Sequence, residues 1–277
     1  MTADGTRVGL AGDAEDPVRP AQATRQEQPK SASHHVRSFL KEMLVVVVGA
    51  VVVSSLLRAL VGQMFIIPSE SMENTLIKQD RVVVQKITGF DRGDVVVFED
   101  PANWLENEPV EAPGAFDRVL EFVGVPTTST PGHLIKRVIG LPGDRVTCCD
   151  KDGRLTVNGY PLDEASYLYT SPDGTQVEPS EIRFEVVVPK DRIFVMGDHR
   201  DRSADSRCHL SETSPTQSRG AVAFVPEDLV VGPALAIAAP FARAQRMHRP
   251  ATFAGVPAPQ QPAPDKATIK PADVSCV

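Results

Sequence analysis

The sequence predicts a mainly β protein behind one apolar N-terminal helix. Three observations carry this expectation. Valine is frequent while aromatic residues make up only 5 % of the chain, a balance that favours strands. From residue 80 onward short β-branched runs recur between turn residues. Before them lies "FLKEMLVVVVGAVVVSSLLRALVGQMFII", which is apolar all round. The expected class is a transmembrane helix followed by an antiparallel β-sheet or barrel domain.

Residues 1–38 contain almost no large apolar side chain and are expected to be a disordered tail. Residues 39–62 are expected to be a membrane anchor. The uninterrupted apolar core runs from Met43 to Leu57 and ends at Arg58. A span needs about 20 residues, which is reached if Arg58 or Lys41 snorkels. A buried core helix would show one apolar stripe, not an apolar circumference. A cleaved signal peptide would begin nearer the N-terminus. Lys30, Arg37 and Lys41 precede the span, and Glu70 and Glu73 follow it. The positive-inside rule then puts the N-terminus in the cytoplasm and the rest outside, with Arg58 as a counter-argument.

Residues 63–239 read as the main domain. "RVVVQKI" (81–87), "DVVVFED" (94–100) and "LIKRVIG" (134–140) are strand-like. Asp152-Gly153 and Asn158-Gly159 are hairpin signals, and "IRFEVVVP" and "DRIFVMGD" continue the series. "GAVAFVPEDLVVGPALAIA" is expected to close it as a strand despite Pro233. Residues 99–133 are a Pro- and Glu-rich insertion. In it Phe116, Val119, Leu120 and Val123 have the spacing of a short amphipathic helix. Trp104 either belongs to a solvated loop or dips into a lipid interface. Residues 240–277, rich in Pro and Ala, are expected to be disordered.

A net charge of −7 argues against nucleic acid as a partner. The four cysteines, Cys148, Cys149, Cys208 and Cys276, have no metal-ligand spacing. Cys148 and Cys149 could form a vicinal disulfide, one could pair with Cys208, or they could be small buried hydrophobes.

"MFIIPSESMENTL" presents two hydroxyls, Ser69 and Ser71, directly after the apolar segment. It reads as an ordinary turn or as a nucleophile at a membrane surface. No G-x-S-x-G elbow exists. His199 in "MGDHRDRSADSR" could serve a Ser-His-Asp arrangement with Asp198 or Asp205, though nothing ties it to Ser71. Ser38–Lys41 matches S-x-x-K by chance, since it lacks that motif's partners. Lys136 offers another base. In a strand it and Arg137 point to opposite faces, so one turns inward if the strand is half buried. A lysine forced among Leu134, Ile135 and Val138 is desolvated, and burial favours the neutral amine. A neutral amine can take a proton from a serine hydroxyl, which arginine cannot. The alternative is a lysine that points to water.

"IIPSESM", "RGDVVVF", "IKRVIGLPGD" and "MGDHRDRSADSR", in this order behind an N-terminal anchor, strongly resemble the type I signal peptidase family, and its actinobacterial members in particular. The resemblance covers residues 60–237. It implies a membrane-bound serine endopeptidase with Ser71 as nucleophile and Lys136 as general base. Ser69 and the Ser71 N–H would hold the oxyanion, and Ser203 would orient the lysine. Asp205, Arg207, Asp198 and Gly197 would shape the site. By position, Phe65, Ile67, Met72, Leu76 and Ile135 would line shallow pockets for small residues. The implied partners are signal peptides of exported preproteins, cut after Ala-x-Ala sites, and the membrane lipid; no metal or cofactor is implied. Two departures stand out: His199 where the family often has Asn, and the inserted "CHLSETSPTQS" after Arg207. Another Ser/Lys hydrolase, an inactive preprotein-binding β-domain and a His199-based protease are the competing readings.

Overall fold

The computed structural model describes residues 32–60, 62–102, 104–105, 132–213 and 218–270, with side chains in the first stretch described for 36–55. Most of the expected N-terminal tail, residues 106–131 with the expected amphipathic helix, and the last residues of the C-terminal segment lie outside them.

Helix α1 spans Ala32–Leu60, so most of the apolar segment is helical, but the helix begins within the stretch 1–38 expected to be disordered, and the segment's end, Gly62–Ile66, is a strand. Phe39, Leu44, Val45, Val46, Val52 and Val53 are exposed. Among the described residues no helix is long and apolar enough to cross a membrane. The side chains of residues 56–60, part of the expected span, lie outside the described set.

The β domain contains two antiparallel sheets. The larger uses β1 (Gly62–Ile66), β2 (Arg81–Gln85), β3 (Val95–Glu99), β4 (His133–Gly140), β9 (Arg192–Met196), β10 (Val225–Pro226), β11 (Val230–Ala239) and β12 (Gln245–Arg246). Its order is β1-β2-β11-β3-β4-β9-β10, with β12 on β11. The smaller has the order β13-β8-β5-β6-β7 and uses β5 (Arg145–Cys148), β6 (Thr156–Val157), β7 (Tyr160–Pro161), β8 (Phe184–Val187) and β13 (Thr268–Lys270). β2 alternates because one face is buried, with Val82 and Val84 inward. The continuous runs of β3 and β4 lie in the middle of the sheet and are buried on both faces. Asn158 and Gly159 both have positive φ, the conformation of a tight hairpin turn between β6 and β7.

Pro233 does not confine β11 to an edge. The first part of β11 pairs with β3 and the later part with β2, and bulges lie on either side of Pro233. Gly232 sits at this change of partner with φ 152°, and any side chain there would strike the Gln85 carbonyl.

Three expectations need correction. Trp104 is neither solvated nor free for lipid: it is 7 % exposed, stacks on His209 and donates from Nε1 to Val222 O at 3.2 Å. Cys148 and Cys149 form the vicinal disulfide, so they are not merely small hydrophobes, and Cys208 is disulfide-bonded too. The Pro/Ala-rich stretch after residue 240 is ordered through residue 270. Its apolar residues are sparse, but several dock on the folded domain while Phe241 stays exposed: Phe253 is buried in the core, Val256 and Ile269 pack against it, and β13 extends the small sheet through β8. Periodicity cannot reveal a segment that packs by isolated anchors.

Candidate active site

Ser71 sits in the loop that leaves β1. Ile67 N–H donates to Asp80 O and Gln79 N–H to Ile67 O, each at 2.9 Å, which closes the base of this loop. Met72 and Leu76 are wholly buried beneath it and bonded through their backbones, Leu76 N–H to Met72 O at 2.7 Å. The apolar pair therefore fixes the turn while the hydroxyls on either side of Glu70 remain at its upper face. Glu70 is held by Lys78 at 2.9 Å and Arg202 at 2.7 Å.

Lys136 reaches this loop from β4. Its Nζ lies 2.5 Å from Ser71 Oγ. Ser71 is 5 % exposed and Lys136 4 %. Ser69 Oγ lies 3.2 Å from Ser71 Oγ. Among the described residues the Ser71 N–H makes no hydrogen bond, while the Ser71 carbonyl accepts from His199 N–H at 3.0 Å. A buried amine, a hydroxyl within its reach and two further donors beside that hydroxyl are the parts of an acyl-transfer site.

The strand is buried on both faces, so Lys136 and Arg137 are both inside. Arg137 is compensated on its own face. Its Nε and Nη2 bind the two oxygens of Asp198 at 2.8 and 2.6 Å, and Nη1 donates to Gly93 O at 2.7 Å. Its guanidinium lies 4.3 Å from the centre of the Tyr167 ring. Burial alone would lower the Arg137 pKa, but the Asp198 charge raises it further. Thr75 Oγ1 also donates to Asp198, at 2.5 Å, so this pair links β4 to the loop that carries Ser71. Asp198 thus acts through Arg137 and Thr75 rather than at the hydroxyl.

Gly197 follows β9. In the β4–β9 register Arg137 faces Met196, so one step further sets Gly197 across from Lys136. A side chain at 197 would overlap both Ser203 Oγ and the Ser71 carbonyl. Ser203 is buried at this point. Gly197 N–H donates to Asp205 Oδ2 at 2.9 Å, and Arg207 grips the same carboxylate through Nε and Nη2, each at 2.9 Å. Burial pushes the Asp205 carboxyl up, but the Arg207 charge and these hydrogen bonds outweigh it and hold the group below its ordinary value.

Sequence reasoning missed a third buried pair. Arg200 binds Glu164 Oε1 and donates from Nε to Gly197 O at 2.9 Å. Tyr167 donates to the same Glu164 oxygen at 2.6 Å, and burial pushes its own hydroxyl pKa well up. Arg200 lay in plain view in "DHRDRSADSR", but Glu164 comes from a distant loop and no local spacing joins them.

The His199 ring is turned away from this chemistry. It stacks on Tyr169, with Nδ1 3.0 Å from Glu73 and Nε2 3.2 Å from Asp201. Only its backbone meets Ser71.

Beside β1 runs a groove with about 290 Å³ of open space, lined by Phe65, Ile66, Ile67, Pro68, Val97, His133, Leu134 and Ile135. Phe65, Ile67 and Ile135 are among the residues that line it. Met72 and Leu76 do not, because they are the buried plug of the loop. Among the described residues β1 pairs only with β2, which leaves its other edge unpaired.

A family model described as signal peptidase, peptidase S26, matches residues 40–239. A signal peptidase I of Mycobacterium tuberculosis (strain H37Rv) is 36 % identical over 210 residues, 68 % of each chain. One from Leptolyngbya laminosa is 34 % identical over 214 residues, 75 % of this chain and 90 % of its own. A crystal structure of a signal peptidase I from Enterococcus faecalis V583 is 24 % identical, covers 53 % of this chain and 97 % of its own, and has a TM-score of 0.28.

Proposed function

This chain belongs to the signal peptidase family, peptidase S26, and we propose that Ser71 and Lys136 are the dyad with which it acts. It is a serine endopeptidase that removes N-terminal signal peptides from preproteins. The observation that carries the assignment of the dyad is the 2.5 Å contact between two buried groups, Lys136 Nζ and Ser71 Oγ.

The reaction is acyl transfer. In its neutral form Lys136 takes the Ser71 proton as Oγ attacks the scissile carbonyl. The developing oxyanion is held by the Ser71 N–H and the Ser69 hydroxyl, donors that need no reorganisation during the step. Lys136 passes its proton to the leaving amine. Lys136, neutral again, then takes a proton from water as the water attacks the ester; as the ester bond breaks and the peptide carboxylate is freed, Lys136 gives that proton to Ser71 Oγ. The Asp205–Arg207 pair fixes Gly197, across the sheet from Lys136; Ser203 Oγ lies buried beside Gly197 with no hydrogen-bond partner among the described residues, and its assignment to orienting the lysine rests on the family resemblance alone.

The substrate lies extended and adds a strand at the free edge of β1. Phe65, Ile67 and Ile135 make the adjoining groove apolar and narrow, which suits the methyl groups of an Ala-x-Ala site and excludes bulky side chains. α1 is the membrane anchor, with the N-terminus cytoplasmic and the β domain outside. Apolar side chains exposed along its described length and the basic residues before it support this reading.

Detergent-solubilised full-length protein tests the assignment with a preprotein that carries an Ala-x-Ala site. The new N-terminus should follow the −1 alanine, and replacing that alanine by Phe should stop cleavage. An uncut alanine substrate, or equal cleavage of both, would overturn the reading. The anchor is tested separately by alkaline extraction of membranes: the chain should stay in the pellet, and its release would refute the anchor.

A further inference from the structure

The family match ends at residue 239, yet the following segment continues as part of the catalytic body. It returns to the site at two places. Arg243 reaches the base of the nucleophile loop and forks onto Asp80, with Nε 2.9 Å from Oδ1 and Nη2 3.0 Å from Oδ2. Asp80 is fully buried and closes the loop through its backbone to Ile67, while its carboxylate also accepts from Ile77 N–H at 3.0 Å. Arg243 is thus the cation that compensates a buried carboxylate at the hinge of the Ser71 loop. Farther on, Arg249 bridges Asp91 and Asp94, and Phe253 packs over Gly93 and stacks on Tyr167. Gly93 O and Tyr167 are the two groups that hold Arg137 besides Asp198 and Thr75.

We propose that this C-terminal segment is a strap that positions the catalytic dyad, with Arg243 as the positioning residue for the Ser71 loop. The inference rests on the reading of Ser71 as nucleophile. The physical reason is direct. Without Arg243 the Asp80 carboxylate is left buried with a single N–H donor, a state relieved only if the loop base opens toward water. Such opening shifts Ser71 relative to Lys136, which sits on a separate strand. A misplacement of about 1 Å in an acyl-transfer geometry costs about 100-fold in rate. Phe65, Ile66, Leu134 and Ile135 line the groove from β1 and β4, outside the loop that Arg243 holds, so the larger part of the loss should fall on the chemical step.

The test uses full-length protein with Arg243→Gln, Arg243→Lys and a double variant, Asp80→Asn with Arg243→Gln. Two readouts run together: steady-state cleavage and amide hydrogen exchange of residues 67–80. For Arg243→Gln we expect kcat to fall about 10- to 100-fold with KM little changed. Exchange should quicken in 67–80 and not in β4 or β9. Arg243→Lys, which restores the charge, and the double variant, which removes the uncompensated carboxylate, should both recover rate. Unchanged kcat and unchanged exchange in Arg243→Gln would overturn the strap. So would a uniform rise in exchange across the domain without rescue, since that is a general loss of stability. If the wild type fails to cut the preprotein, the assigned reaction fails, and exchange in 67–80 still decides whether Arg243 holds the loop.

Discussion

Ser69 Oγ and Ser71 Oγ lie 3.2 Å apart on the same upper face of one turn, with Glu70 between them tied to Lys78 and Arg202. The spacing of a Ser-Glu-Ser triplet places the two hydroxyls side by side because the turn is pinned from below by Met72 and Leu76. Among the described residues the Ser69 hydroxyl bonds to Ser71 Oγ and to no other group. Ser69→Ala should fold normally and lose roughly 100-fold in kcat with little change in KM, the cost of one oxyanion donor. Ser69→Thr, which keeps a hydroxyl, should retain part of the lost rate. Steady-state kinetics on the three proteins checks this, and a wild-type kcat in Ser69→Ala would remove Ser69 from the oxyanion hole.

Gly197 is required for room rather than for flexibility. A methyl there meets Ser203 Oγ on one side and the Ser71 carbonyl on the other. Gly197→Ala should destabilise the domain by about 1–3 kcal/mol, as overpacking does, and reduce cleavage beyond what the lost stability explains. Thermal melting beside activity at a temperature where the variant is folded separates the two effects.

Much of this arrangement was legible in the chain. Ser71 and Lys136 are separated by 65 positions, but each lies in a local pattern, a turn after an apolar run and a β-branched strand. The central strands were readable because their apolar runs are continuous. What stayed hidden was compensation at long range. Glu164 for Arg200, Asp80 for Arg243 and Gly93 for Arg137 are paired by the fold and not by any period. The ordered C-terminal segment escaped for the same reason. It holds by ion pairs, one buried phenyl ring and two short strands, β12 and β13, so its composition resembles that of a free tail.

The Asp205–Arg207 pair gives a pH dependence of stability. Asp205 titrates below its ordinary value in the folded chain. A carboxyl depressed by folding stabilises the protein above its unfolded pKa, about 3.9, and this contribution is lost as the pH falls through the folded value. Asp205→Asn should therefore melt well below wild type at neutral pH, by the cost of an uncompensated buried Arg207. The gap should close below about pH 4, as the wild-type carboxyl becomes protonated. A gap that stays constant from neutral to acid pH would contradict the pairing.

His199 separates two mechanisms. Its ring faces Glu73, Asp201 and Tyr169, and only its N–H touches Ser71. His199→Ala preserves that backbone contact and should keep the dyad working, with activity reduced by the loss of packing alone. Abolished cleavage in a folded His199→Ala would return the ring to the list of bases.

The central claim is that Lys136 is the base for Ser71. The most direct measurement is kcat/KM on the Ala-x-Ala preprotein for folded wild type, Ser71→Ala, Lys136→Ala and Lys136→Arg. Arginine keeps the charge and hydrogen-bonding capacity at 136 but does not give up its proton. Wild type should cut, and all three variants should fall to background while their melting curves show a folded domain. Cleavage by Lys136→Arg or Lys136→Ala near the wild-type rate would show that the Ser71 proton goes elsewhere, and the dyad would be wrong.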